Sequence, residues 1–277
     1  MTQIIDGRKI KNDILEEMKK EVLSLPFVPL FCDILVGDDP VSNSYVKIKA
    51  TTASLIGIKF RDAQFNKSIT TEELIEEIEN LNKVPHICGI IIQLPLPSHI
   101  DIQRVLDAIL PSLDVDCLGS TNSEKFYNNE GEIAYPTALA CIKILDDIKI
   151  DLSTKKILIL GQGRLVGMPV THLLKKRGLK IDVINSKTEN TEELIKNADV
   201  IISAIGKARY IKGDMIKEGS IIIDAGTSED NGAIYGDVDL NSVAGVASFV
   251  SPTPGGVGPV TVAMLLKNVL QVAKNKR

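Results

Sequence analysis

Lys156-Ile-Leu-Ile-Leu-Gly161-Gln-Gly-Arg-Leu-Val-Gly167, followed by Met168-Pro169 and an apolar stretch ending near Gly178, decides the fold. The apolar run Ile157 to Leu160 shows no alternation, as expected of a strand buried on both faces. The glycines then let the chain turn tightly and expose backbone N–H groups at a helix N-terminus, where a pyrophosphate is favoured. Strand, glycine turn and helix together predict a dinucleotide-binding βαβ unit, with GxGxxxG spacing rather than GxGxxG.

The same alternation extends in both directions. Downstream, Lys180 to Ile184, Asp199 to Ile205 and Ser220 to Ala225 read as further strands. Upstream, Leu30 to Val36, Ile58 to Phe65 and Ile87 to Leu94 read as strands separated by helices at about Ser42 to Ile56 and Thr71 to Leu81. Ile10, Ile14, Met18 and Val22 recur every four residues and predict an amphipathic first helix. Thr70 followed by Glu73 is a capping box for the helix that starts at Thr71. The pattern predicts two α/β halves, each with a parallel sheet. Between them lies a polar connector, Asp114 to Tyr135, and then an apolar helix from about Thr137 to Ile148 with a cleft expected alongside it.

Composition narrows the function. With 277 residues, 44% hydrophobic and 25% charged, the chain suits a soluble two-domain protein. The net charge of -4 comes from interspersed acids and bases, which argues against a nucleic-acid partner. Cys32, Cys88, Cys117 and Cys141 lack CxxC or Cys/His spacing, so neither a disulfide framework nor a metal site is expected, and a reducing cytoplasm is the natural setting. No apolar run approaches the roughly 20 residues of a membrane span, and Met1 to Arg8 has no signal-peptide apolar core.

Three groups of residues suggest ligands. At the tip of the strand after the glycine turn stands Asn185-Ser186-Lys187-Thr188, without the acid that commonly holds the ribose 2'-hydroxyl of NAD. Ser186, Lys187 and Arg164 admit a 2'-phosphate and therefore NADP; a solvated turn is the plainer alternative. Tyr45 and Lys49 stand four residues apart and share one helix face, while Gln93 ends an apolar strand, where α/β proteins often bind ligands. Ser251-Pro-Thr-Pro-Gly-Gly-Val-Gly-Pro259 is a Pro/Gly-rich stretch that either launches a helix or brings main chain close to a ligand.

That last stretch, with Val260-Thr-Val-Ala263 after it, closely resembles the C-terminal signature of the bifunctional methylenetetrahydrofolate dehydrogenase/methenyltetrahydrofolate cyclohydrolase family. Tyr45-x3-Lys49, Gly89-Ile-Ile-Ile-Gln93-Leu-Pro-Leu-Pro97, Asp114-Val-Asp116, Ile223-Asp-Ala-Gly-Thr227 and Gly236-Asp-Val-Asp239 extend the resemblance over nearly the whole chain. It implies NADP-dependent oxidation of 5,10-methylenetetrahydrofolate and hydrolysis of the methenyl product to 10-formyltetrahydrofolate, in one-carbon metabolism serving purine biosynthesis. It also implies a cytoplasmic homodimer, with a folate-binding domain of residues 1–134 and 259–277 and a Rossmann domain of residues 135–258.

On this resemblance Lys49, Tyr45, Gln93 and Asp116 would be catalytic. Lys49 would act as a general base or proton shuttle oriented by Gln93, and Asp116 would accept hydrogen bonds from the pterin edge. Leu94, Pro95, Pro254, Gly255 and Gly256 would contact folate. Gly161, Gln162, Gly163, Arg164, Ser186, Lys187 and Thr227 would hold the dinucleotide, Thr227 on the nicotinamide side. Gly161-Gln162-Gly163 stands where the family has Gly-Arg-Ser, which leaves NAD open beside NADP. Cys117 likewise replaces the glycine usual after Asp-Val-Asp. A dehydrogenase with weak cyclohydrolase activity, and a folate- or nucleotide-binding protein without turnover, are the alternatives.

Overall fold

A computed structural model describes residues 1–230 and 233–276. In chain order its first elements are β1 (Gln3–Ile4), α1 (Gly7–Leu23), β2 (Leu30–Val36), α2 (Pro40–Leu55), β3 (Lys59–Phe65), α3 (Thr71–Leu81), β4 (Ile87–Ile92), α4 (Ile102–Asp107) and α5 (Ser120–Tyr127). Next come α6 (Pro136–Ile148), β5 (Ile157–Leu160), α7 (Gly167–Lys176), β6 (Ile181–Ile184), α8 (Thr191–Asn197), β7 (Val200–Ser203) and β8 (Ile221–Asp224). A short antiparallel pair, β9 (Ser228–Asp230) and β10 (Ala233–Tyr235), precedes α9 (Leu240–Val243), β11 (Phe249–Val250) and α10 (Val257–Asn275).

The chain divides into two compact units, the division falling within α1 and α10. Residues 13–136 with 262–277 form the first, built on a parallel sheet of order β3-β2-β4. Central β2 is almost wholly buried, and Phe31, Ile34, Ile58, Leu74, Ile78, Ile87 and Ile90 form a core below 2% exposure. Asp114 bridges Ile90 in parallel, so the segment leading to Asp116 runs on beside β4.

Helix α3 begins where its capping box predicts. Thr70 Oγ1 accepts from Glu73 N at 3.2 Å, and Glu73 Oε2 accepts from Thr70 N at 2.8 Å. Thr70→Ala removes one of these acceptors and is expected to cost about 1 kcal/mol. A lowered urea midpoint with unchanged slope checks it; an unchanged midpoint contradicts it.

Residues 1–12 with 137–261 form the second unit, a six-stranded parallel sheet of order β1-β11-β8-β7-β5-β6. Its core includes Leu158, Leu160, Ile201, Ile222 and Val250. β5 has β6 on one side and β7 on the other, so strand order reverses there, and the C-terminal end of such a strand is where α/β sheets commonly bind ligands.

Two features differ from the sequence expectation. Residues 1–12, expected with the N-terminal half, are held by the second sheet: Gln3 and Ile4 pair with Phe249 and Val250. A two-residue strand has no periodicity to read. The polar connector also contains α5, which buries only Asn122 and Phe126.

Candidate active site

Helix α2 has Pro40 in its first turn and Asp39 as N-cap, whose carboxylate accepts from Ser42 N at 2.7 Å. It buries Ser42, Val46, Lys49, Thr52 and Ala53, so Lys49 occupies a stripe that packing would normally reserve for apolar side chains. Only 6% of Lys49 is exposed. Its Nζ donates to Gln93 Oε1 at 2.7 Å. Gln93 follows β4 directly, and its N–H extends the ladder to Ile34 O at 2.8 Å, so a sheet-anchored backbone aims its amide. Tyr45, one turn before Lys49, is half-buried, and burial raises its hydroxyl above the usual range.

A second partner of Lys49 is Asp33, which the sequence reading missed. Asp33 lies in the middle of β2 at 0% exposure, with Oδ2 2.6 Å from Lys49 Nζ. The contact is a close ion pair, and among the described residues no group other than Lys49 donates to either carboxylate oxygen. Burial raises Asp33 above the usual carboxylate range, against the attraction of Lys49. The signal lay in the sequence as a lone charge within Leu30-Phe-Cys-Asp-Ile-Leu-Val36.

Asp116 shares this electrostatic neighbourhood. Burial, opposed by the pull of Lys49 and reinforced by repulsion from Asp114 and Asp33, pushes it up to about 7. Its partial surface exposure shows that solvent still reaches it, though protein surrounds it densely. Asp114 is structural: it accepts from Leu118 N at 3.2 Å and Gly119 N at 3.0 Å. Asn268 fastens the same segment, donating to Val115 O at 2.8 Å and Ala134 O at 2.7 Å. Cys117 adopts φ 62°, a left-handed conformation suited to glycine, with its Sγ donating to Asn122 O. Of the expected folate contacts here, Leu94 is half-buried and Pro95 exposed. The first unit thus brings Tyr45, Lys49, Gln93 and Asp116 together, with Asp33 added.

In the second unit the glycines of the β5–α7 turn have different duties. A Cβ on Gly161 would lie 2.4 Å from Ala204 O, and one on Gly167 only 2.0 Å from Gly161 O. The second approach lets α7 start against the end of β5; the first lets that end lie against the chain leaving β7. Gly163 has nothing within 4 Å of such a Cβ, leaving open space over the main chain. Helix α7 has no side-chain cap at its N-terminus. An open glycine beside uncapped N–H groups fits a pyrophosphate.

Gln162 turns inward, donating to Thr171 Oγ1 at 3.1 Å, while Arg164 is exposed. Ser186 and Lys187 are exposed in the turn after neighbouring β6, where Asn185 Oδ1 accepts from Lys187 N at 2.9 Å. Thr227 is exposed just beyond β8.

Two buried carboxylates order the loops around β7 and β8. Asp237 accepts from Ser203 Oγ, Ile205 N and Lys207 N at 2.7, 2.9 and 2.7 Å. Asp224 accepts from Gly226 N, Asp237 N and Val238 N, each at 3.0 Å. Pro254, Gly255 and Gly256 lie in the turn before α10. There Gly7 N donates to Gly255 O at 3.0 Å, and a Cβ on Gly7 would meet Gly256 O at 1.8 Å. Among the described residues, no group of three or more His, Cys, Asp or Glu is placed to hold a metal ion.

Residues 5–116 match the catalytic domain, and residues 135–277 the NAD(P)-binding domain, of tetrahydrofolate dehydrogenase/cyclohydrolase. The chain belongs to this family. The bifunctional protein FolD of Nautilia profundicola is 40% identical over 276 residues, covering 98% of this chain and 97% of that protein. The crystal structure of the bifunctional FolD dehydrogenase/cyclohydrolase from Campylobacter jejuni superposes with a TM-score of 0.94 at 36% identity, covering all of both chains. The Trypanosoma brucei dehydrogenase-cyclohydrolase, solved with NADP cofactor and inhibitor, gives 0.93 at 32% identity, covering 99% of this chain and 98% of that one. Membership accounts for the two parallel-sheet units and their order in the chain. Asp33 stands in the catalytic domain of this family member, and Gln162 in its dinucleotide turn.

Proposed function

We propose that this chain oxidises 5,10-methylenetetrahydrofolate with NADP and then hydrolyses the methenyl product to 10-formyltetrahydrofolate. The observation that carries the reading is Lys49, buried on α2 and hydrogen-bonded to Gln93 within the catalytic domain. NADP, when bound, supplies the hydride acceptor. Gly161, Gln162, Gly163 and Arg164 would hold its pyrophosphate, Ser186 and Lys187 its 2'-phosphate, and Thr227 would lie toward the nicotinamide. Tyr45, Lys49, Gln93 and Asp116 belong to the unit of residues 13–136 and 262–277, while the dinucleotide residues and Pro254, Gly255 and Gly256, the other expected folate contacts, belong to the second unit.

Within the folate unit, Lys49 accepts the proton of the water that adds to the methenyl carbon, and Gln93 keeps its Nζ directed. Tyr45 offers a ring face and a hydroxyl to the flat pterin; Leu94 and Pro95 line its edge. Comparing kcat/KM for NADP and NAD tests the cofactor assignment. A preference for NADP supports it, and equal use of both contradicts it.

Asp116 takes the amino-pyrimidine edge, whose N–H groups need a carboxylate and not a carboxylic acid. The unliganded protein carries the acid below about 7, so acidification below that value forces folate to compete with a proton. The dissociation constant should therefore rise as pH falls through about 7, by up to about tenfold per unit. Asp116→Asn should weaken binding above that pH and flatten the dependence. Calorimetric titration checks it; unchanged affinity would place the pterin elsewhere.

The enzyme would work in the cytoplasm as a homodimer, supplying formyl groups for purine assembly. Four buried cysteines in free thiol form support the reducing setting.

A further inference from the structure

We propose that Asp33 is a positioning residue that takes the ammonium proton of Lys49 when the cationic methenyl substrate binds, leaving a neutral amine facing the substrate. The inference rests on Lys49 being the base for hydrolysis. Nζ lies 2.7 Å from Gln93 Oε1 and 2.6 Å from Asp33 Oδ2, so one proton can move between two groups already in contact. Asp33 is 0% exposed and among the described residues no donor other than Lys49 reaches its oxygens, so its charge has little support beyond Lys49. Moving the proton neutralises both groups and takes positive charge away from an incoming cation.

The charged groups around Asp33 act in the same direction. Besides Lys49 from α2, these are Asp62 from β3 and Asp116 from the segment beyond β4, and both carboxylates repel a charge on Asp33. The adjacent Cys32 thiol is pushed up to about 12 by burial and stays protonated.

The sequence of bonds balances. Lys49 passes a proton to Asp33; water oxygen bonds to the methenyl carbon as its proton moves to Lys49. The adduct's O–H proton then transfers to N5 as the C–N5 bond breaks and the formyl C=O forms. One proton leaves to solvent, restoring the ion pair, so methenyl cation plus water gives formyl product plus a proton. No net deprotonation of the pair precedes the attack.

Background-corrected kcat for hydrolysis, measured at saturating methenyl substrate to remove Asp116 binding from the profile, tests this against pH. The native enzyme should be nearly flat between about pH 6 and about pH 8. Asp33→Asn must lose the lysine proton to solvent, so its kcat should rise by about tenfold per unit over that range. Near about pH 7 it should fall by about 10- to 100-fold, far more than hydride transfer falls.

A variant profile superimposed on the native one, or equal loss of both activities, would overturn the proposal. Should Asp33→Asn not fold, the native profile decides: a tenfold rise per unit contradicts it. Hydrolysis surviving Lys49→Met would instead remove the base assignment itself.

Discussion

Lys49→Met should slow hydrolysis of the methenyl substrate by about a thousandfold, equivalent to about 4 kcal/mol of transition-state stabilisation, while hydride transfer stays measurable. Methionine keeps most of the stem volume on the buried face of α2 and removes the atom that reaches Gln93 and Asp33. It also leaves Asp33 as a carboxyl without a cation. That carboxyl is already driven toward its neutral form by burial and can remain protonated, which limits the structural cost. Stopped-flow traces of methenyl formation and decay separate the two steps. Equal loss of both would mean that Lys49 organises the site instead of acting in one reaction.

Gly167→Ala should strongly destabilise the dinucleotide side. The new methyl would meet Gly161 O at 2.0 Å and Gly161 C at 2.8 Å, backbone atoms that cannot rotate away. The expected loss is about 3 kcal/mol or more, seen as a Tm lower by about 6 °C or more. NADP affinity should fall by more than about tenfold, because the N–H groups at the start of α7 move with the turn. Gly163→Ala separates packing from ligand contact: with nothing within 4 Å of its Cβ, stability should be unchanged while NADP binding weakens. Thermal melts with and without NADP check both, and a native-like Gly167→Ala would show that the turn has room the close contact denies.

Much of this was legible in the residues, for physical reasons that differ by element. β2 and α3 begin and end where the apolar run and the capping box place them, because burial and N-terminal hydrogen bonds are local properties of the chain. β1 and β11 were not, since two-residue strands are fixed by pairing with distant chain. Helix α5 hid behind its polar surface, since all its residues but Asn122 and Phe126 are at least partly exposed to solvent.

The site divides in the same way. Tyr45 and Lys49 share a helical face by spacing alone, but the contact of Lys49 with Gln93 spans 44 residues and needs α2 to lie over the sheet. Asp33 was visible as a charge in an apolar strand; its partner was not, because Lys49 lies sixteen positions further on, beyond a turn. The roles of Asp224 and Asp237 likewise depend on loops brought together by neighbouring strands.

The most direct test follows reduced cofactor, methenyl intermediate and 10-formyl product in one reaction started with 5,10-methylenetetrahydrofolate and NADP. Reduced cofactor and 10-formyl product rising in equal amounts, with little methenyl accumulating, is the predicted result. Methenyl building up at only its spontaneous rate of decay, or no reduced cofactor at all, would contradict an enzyme that performs both steps.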